Sequence, residues 1–160
     1  MSARKANINY SGRTVDLLLL KTVERPLGRQ KVALDVSEDP KMVTGIEKMV
    51  QRFALAFVES AGSVKFDDSF GTEMVSRVGS GRVHDMPSWT SVAAEANMRA
   101  RNILRREDEG LDTPDDEAIE SSEITDLYFD RRTATVGVTI LLRSRAGETF
   151  VYTIPVSAGI

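Results

Sequence analysis

The stretch Met42–Val78, MVTGIEKMVQRFALAFVESAGSVKFDDSFGTEMVSRV, decides how the chain is read. It opens as an amphipathic helix from Met42 to Ser60. Val43, Ile46, Val50, Phe53 and Phe57 recur at steps of three and four and share one face, while Glu47, Lys48, Gln51 and Arg52 fall largely elsewhere. Phe57 is the expected anchor of that face against a sheet. Just upstream, Asp39 is placed to cap free backbone N–H groups, and Pro40 fits a first helical position, where no N–H is needed. Ala61-Gly62-Ser63 stops the helix, Phe66–Ser69 makes an aromatic and acidic bend, and Phe70-Gly71-Thr72 leads into a short helix or turn over Gly71–Val78. Gly71 permits a backbone angle or close approach forbidden to other residues, and the Thr72 hydroxyl can cap the helix after it. Gly79-Ser80-Gly81 then breaks the helix, because glycine loses the most backbone freedom there.

Working outward, Val15–Leu20 and Lys31–Val36 read as a strand pair around the turn Arg25-Pro26-Leu27-Gly28. The first of these does not alternate, so it is expected to be covered on both faces. Downstream, Ser88 is the expected cap of a helix over Trp89–Arg106, whose stripe of Trp89, Val92, Ala96, Ala100 and Ile103 is mostly small and permits close approach of a partner element. Glu107–Glu120 holds eight acidic residues with Gly110 and Pro114, the composition of a solvated loop, and reads as a hinge. Glu123–Phe129, Thr133–Leu142 and Glu148–Pro155 then form an antiparallel meander. Val136, Val138, Ile140 and Leu142 alternate onto one face, Arg143–Gly147 supplies a turn, and Pro155 marks an edge strand. The expected fold is a single α+β domain over 1–160, its helical first two thirds packed on a C-terminal antiparallel β-meander. It divides into a 1–39 extension with the strand pair, a helical part over 40–106, the acidic loop over 107–120 and the meander over 121–160.

Composition narrows the function. The 160 residues are 41% hydrophobic and 28% charged with a formal net charge of −3, which gives no electrostatic reason to expect nucleic acid. The absence of cysteine excludes disulfides, thiolate metal sites and cysteine nucleophiles. No apolar run approaches the roughly 20 residues that span a bilayer, and the N-terminus lacks a signal-peptide core, so synthesis and use in a cytoplasm without a membrane partner are expected.

The chemistry-bearing residues read as structure. His84-Asp85 has no accompanying nucleophile, and a lone His beside an Asp is ordinarily a surface residue. Glu59, Asp67 and Asp68 cluster around the first bend, as paired carboxylates of a glycoside hydrolase would, but clusters at bends are usually caps. The order of acids in Glu107–Glu120 fails the EF-hand pattern. Arg99, Arg101, Arg105 and Arg106 suit the negative end of a helix dipole. No catalytic residue, cofactor, metal or small-molecule substrate is expected.

The order of helix, small-residue stop, acidic bend, Phe70-Gly71-Thr72 and second helix resembles the small baseplate wedge proteins of contractile phage tails, a family sometimes labelled lysozyme-like. The likeness runs through Ile46–Glu59, Gly62, Phe66–Ser69, Gly71-Thr72, Trp89–Arg106 and Ile124–Val156. Where the family carries Glu-Pro-Arg before its first meander strand, this chain has Ser121-Ser122-Glu123, leaving Glu123 as the charged group at that place. The resemblance implies a structural protein of the virion's tail baseplate, assembled in the host cytoplasm. Such a protein clasps larger wedge subunits through its helices and templates the first ring of tail sheath protein through its terminal sheet. The residues expected to meet those partners are Phe70, Gly71, Thr72, Ala96, Ala100, Glu123, Val151 and Thr153. Two other readings remain: a tail-associated peptidoglycan hydrolase using Glu59 and Asp67, and a cytoplasmic adaptor unrelated to phage.

Overall fold

Alternation along Thr135–Ser144 builds the frame of the fold, since it sends one row of side chains to each face of a sheet. The structure, a computed structural model, describes residues 16–17, 20–24, 30–34, 42–65, 67–81, 83, 85–130 and 135–157. In chain order its elements are β1 (Asp16–Leu17), β2 (Leu20–Glu24), β3 (Gln30–Leu34), β4 (Met42–Val43), α1 (Gly45–Val58), α2 (Met74–Gly79), α3 (Met86–Gly110), β5 (Ile119–Asp130), β6 (Thr135–Ser144) and β7 (Thr149–Ser157). The three C-terminal strands form an antiparallel sheet in the order β5-β6-β7, and α1 and α3 lie against it. This is the expected α+β arrangement, with helices on a terminal meander.

The core face of the sheet is the row expected in β6. Val136, Val138, Ile140 and Leu142 are fully buried and are flanked by Tyr152, Ile154 and Val156 of β7. Against this row α1 brings Met49, Phe53 and Phe57, each 0% exposed. Phe53 stacks on Phe57 with centroids 6.2 Å apart and meets Tyr152 edge to face at 6.5 Å and 89°. The α3 stripe of Trp89, Val92, Ala96, Ala100 and Ile103 closes the same cluster. The opposite face carries Tyr128, whose ring lies over the cross-strand Gly137; a Cβ there would sit 2.2 Å from the ring, so only glycine fits.

Several boundaries differ from expectation, each for a local reason. The N-terminal pair exists, but its strands are β2 and β3, joined in register from Leu20↔Leu34 to Glu24↔Gln30. Of the first expected strand Leu20 lies in β2 and Asp16–Leu17 pairs instead with Met42–Val43; Val15, residues 18–19, the expected turn Arg25-Pro26-Leu27-Gly28, and Val36 lie outside the described residues. Helix α1 runs from Gly45 to Val58 and not from Met42 to Ser60, because Met42–Val43 is extended and pairs with Asp16–Leu17. Asp39 and Pro40 lie outside the described residues. The cap of α3 is Asp85, whose carboxylate accepts the Ser88 N–H at 2.7 Å, with Pro87 in the first turn.

The largest correction concerns Glu107–Glu120. Its first four residues continue α3 to Gly110, and Asp108 and Glu117 are 4% and 1% exposed. Asp108 Oδ1 receives both terminal nitrogens of Arg52 at 3.0 Å, while its Oδ2 accepts the Ile119 N–H that opens β5. Arg52 also reaches Glu107 at 2.8 Å and the Glu117 carbonyl at 3.3 Å. Glu117 binds Lys48 Nζ at 2.8 Å and accepts the Gly45 N–H at 3.2 Å. Burial lowers the pKa of the Arg52 guanidinium, but the bonds and charges of Glu107 and Asp108 outweigh it and the net shift is upward. The segment is also stitched to the β6–β7 turn, through Arg145 N–H to the Ala118 carbonyl and Ala146 N–H to that of Asp115. Residues 111–118 do form a loop and Glu109, Asp112, Asp115 and Glu120 are exposed, but Asp108 and Glu117 tie it to helices and sheet, and Lys48, Gln51 and Arg52 are not solvent-face residues: Lys48 and Gln51 are 8% and 1% exposed.

Removing one partner of a buried pair strands the other charge, whereas removing both is nearly neutral. Glu117→Gln is therefore expected to cost about 3–5 kcal/mol in urea denaturation, and adding Lys48→Met to recover most of it. The Tyr152 hydroxyl has no hydrogen-bond partner among the described residues, and burial pushes the phenol well above its usual pKa. Tyr152→Phe is expected to leave stability unchanged at neutral pH or raise it by up to about 1 kcal/mol. Above about pH 10 the unfolded phenol ionises while the folded one does not, so the native protein loses stability there and the variant is spared that loss. Urea midpoints on either side of that pH check both effects.

Candidate assembly surfaces

The segment between α1 and α2 closes on itself. Ala61 N–H donates to the Thr72 carbonyl at 2.9 Å, Thr72 N–H to the Glu59 carbonyl at 2.8 Å, and Ser60 and Thr72 form a parallel bridge. Gly71 sits at φ +90° at this closure, where a Cβ would lie 2.7 Å from the Glu59 carbonyl oxygen. Thr72 is 1% exposed; its hydroxyl donates to the Phe57 carbonyl at 2.6 Å and accepts the Met74 N–H that opens α2. Phe70 is half-buried against the core. The Phe70-Gly71-Thr72 step thus joins the end of α1 to the start of α2, and of the three only Phe70 keeps surface for a second chain.

The carboxylates at this bend have structural partners. Asp67 accepts the Ser69 hydroxyl and, at 2.9 Å, the Ser69 N–H, and Arg106 lies 3.9 Å away. The Ser69 hydroxyl and then its N–H hold the Asp67 carboxyl below its ordinary pKa, the wrong direction for a general acid. Glu59 accepts the Ser63 hydroxyl. Asp85 is occupied as the α3 cap, and His84 lies outside the described residues. No group of three metal-ligating residues occurs among the described residues. A shallow groove of about 580 Å³ between α2 and α3 is lined by Glu73, Ser76, Arg77, Ser80, Val83, Ser88 and Val92. Several of its polar groups are bonded internally: Arg77 pairs with Glu73 at 2.7 Å and Glu95 at 3.2 Å, and Ser76 and Ser80 donate to the Glu73 and Arg77 carbonyls.

The α3 arginines are not at the helix end. The helix runs on to Gly110, so its last turn carries no basic residue. Arg105 instead donates to the Glu120 carbonyl and Arg106 to the Ser69 hydroxyl at 2.8 Å. Asn97 donates to the Ser122 carbonyl at 3.3 Å. Asn97, Arg105 and Asp108 thereby hold backbone groups of the first four residues of β5, a strand with no strand on its outer side among the described residues. Sequence reasoning missed this seam, although Asn97, Arg101, Arg105 and Asp108 follow a helical stripe of their own.

Ala96 and Ala100 are 3% and 0% exposed, so the small-residue stripe meets this chain's own core and not a partner. Thr153 is 3% exposed, its hydroxyl 2.8 Å from that of Thr139. Glu123 and Val151 both stand opposite Leu141 of β6, forming one cross-strand row on the outer face, and Val151 is 48% exposed. The sites retaining surface are therefore Phe70, Glu123 and Val151. β7 takes the edge position that Pro155 suggested, with β3 near it, and β5 is the other edge.

No family model matches the chain, and neither curated proteins nor solved structures give a match.

Placing a charge on the buried stripe is expected to unfold the chain, not to block association selectively. Ala100→Glu should abolish the cooperative thermal transition, while Met98→Glu on the exposed side of α3, where Met98 is 51% exposed, should shift it little. Circular dichroism melts of the two variants make the comparison.

Proposed function

We propose that this chain is a non-enzymatic component of the inner wedge of a contractile phage tail baseplate, joining larger wedge subunits and pairing strands with the first ring of sheath protein. The observation that carries the reading is the open margin of the terminal sheet: from Glu123 to Asp130 no residue of β5 is buried, although β6 beside it is largely core. A strand margin of this kind recognises protein by main-chain hydrogen bonds and needs no pocket. The order of α1, closed bend, Gly71-Thr72 step, α2, long α3 and meander is consistent with the sequence resemblance, which Ser121-Ser122-Glu123 departs from. Contact with wedge subunits through α3 has the outward side of that helix to work with, where Met86 and Met98 are 46% and 51% exposed.

Tagged protein drawn from cells that produce the source particle is expected to bring down large wedge subunits and sheath protein, identified by mass spectrometry. Recovery of neither from cells with assembled tails would overturn the proposal.

A further inference from the structure

The geometry points to the second half of β5, Thr125–Asp130, as the docking edge for an extended segment whose residues alternate apolar and basic; this rests on the strand-pairing reading above and specifies its site and occupant. The two halves of the strand differ. From Ile119 to Ser122, α3 side chains occupy the outer backbone groups, with Asp108 on the Ile119 N–H, Arg105 on the Glu120 carbonyl and Asn97 on that of Ser122. A register shift between Ile124 and Asp126 then separates this half from the next, and such bulges commonly end one pairing and re-aim the strand beyond them. The other margin of the sheet, β7, has β3 close by, which leaves the second half of β5 as the more open edge among the described residues.

The faces of that half define what fits. Leu127 and Phe129 stand opposite Val138 and Val136 of the core row, and Phe129 is 43% exposed. Asp126, Tyr128 and Asp130 stand opposite Thr139, Gly137 and Thr135 on the outer face, and Glu123 precedes them there opposite Leu141. A strand laid beside Thr125–Asp130 extends the core row where its residues are apolar and covers Leu127 and Phe129. On its other face it meets the exposed acids Glu123 and Asp126, which favour lysine or arginine and oppose glutamate or aspartate. The same acids also deter indiscriminate edge pairing, which natural sheets guard against with charge.

The test uses the whole chain and a synthetic peptide of about seven residues alternating valine and lysine, long enough to span the edge. Hydrogen exchange at residues 125–130 is expected to slow on adding the peptide, with no change in β7 or at 119–122. A valine–glutamate peptide of the same length should bind about tenfold more weakly or worse. Glu123→Lys with Asp126→Lys should reverse that preference, both residues being exposed. No protection at 125–130, protection of β7 instead, or equal binding of the two peptides would overturn the inference. Peptide protection together with a pull-down that lacks tail proteins would leave this edge standing and remove the baseplate reading. Recovery of tail proteins with no peptide protection would do the reverse.

Discussion

The contact between Arg52 and Asp108 is the constraint on which the rest of the structure depends. One carboxylate binds the guanidinium of α1 through one oxygen and the first N–H of β5 through the other, while itself sitting on α3. Three elements, α1 and the consecutive α3 and β5, are thus held by a single side chain at 4% exposure. Acidic residues near a helix C-terminus oppose the helix dipole. Arg52, reaching Glu107 and Asp108 together, offsets that repulsion and lets α3 extend to Gly110. Lys48 and Glu117, one turn earlier on α1, repeat the device and fix the chain as it enters the sheet.

How legible the fold is in the sequence depends on the range of the interaction. The face of α1, the stripe of α3 and the alternation of β6 are local periodicities, and the residues named from them are the residues found in the core: Phe53, Phe57, Ala96, Ala100, Val138 and Ile140. Composition alone misreads the acidic tract because it describes the surroundings as water, whereas the counter-ions lie 56 and 69 residues earlier, at Arg52 and Lys48. The same long range hides the start of α1, which is set by pairing with Asp16–Leu17 and not by the Asp39-Pro40 signal. Gly71 and Thr72 stand out in the sequence as a special step, but their use is internal: the glycine clears the Glu59 carbonyl and the threonine links two helices.

The sheet owes its shape to unequal treatment of its margins. Asn97, Arg105 and Asp108 stand in for a neighbouring strand along the start of β5, which fixes the position of α3 and satisfies backbone groups that an edge otherwise leaves to solvent. Past the bulge β6 is the one strand paired with it among the described residues, and the Tyr128 ring lies over Gly137. Of the residues expected to meet partners, Phe70, Glu123 and Val151 keep surface, and the last two share a row with Leu141 on the outer face. Helices cover the face that carries Val136, Val138, Ile140 and Leu142, while the other face is buried at Thr135 and Thr153 and exposed at Glu123 and Val151.

A double-mutant cycle on Arg52 and Asp108 tests most directly whether the acidic tract is a packed tie. Arg52→Met and Asp108→Asn would be measured singly and together by urea denaturation. A buried pair of this geometry predicts that the two losses are strongly non-additive, with a coupling of at least about 1.5 kcal/mol. Additivity within about 0.5 kcal/mol would contradict the account and return Glu107–Glu120 to the status of a solvated loop.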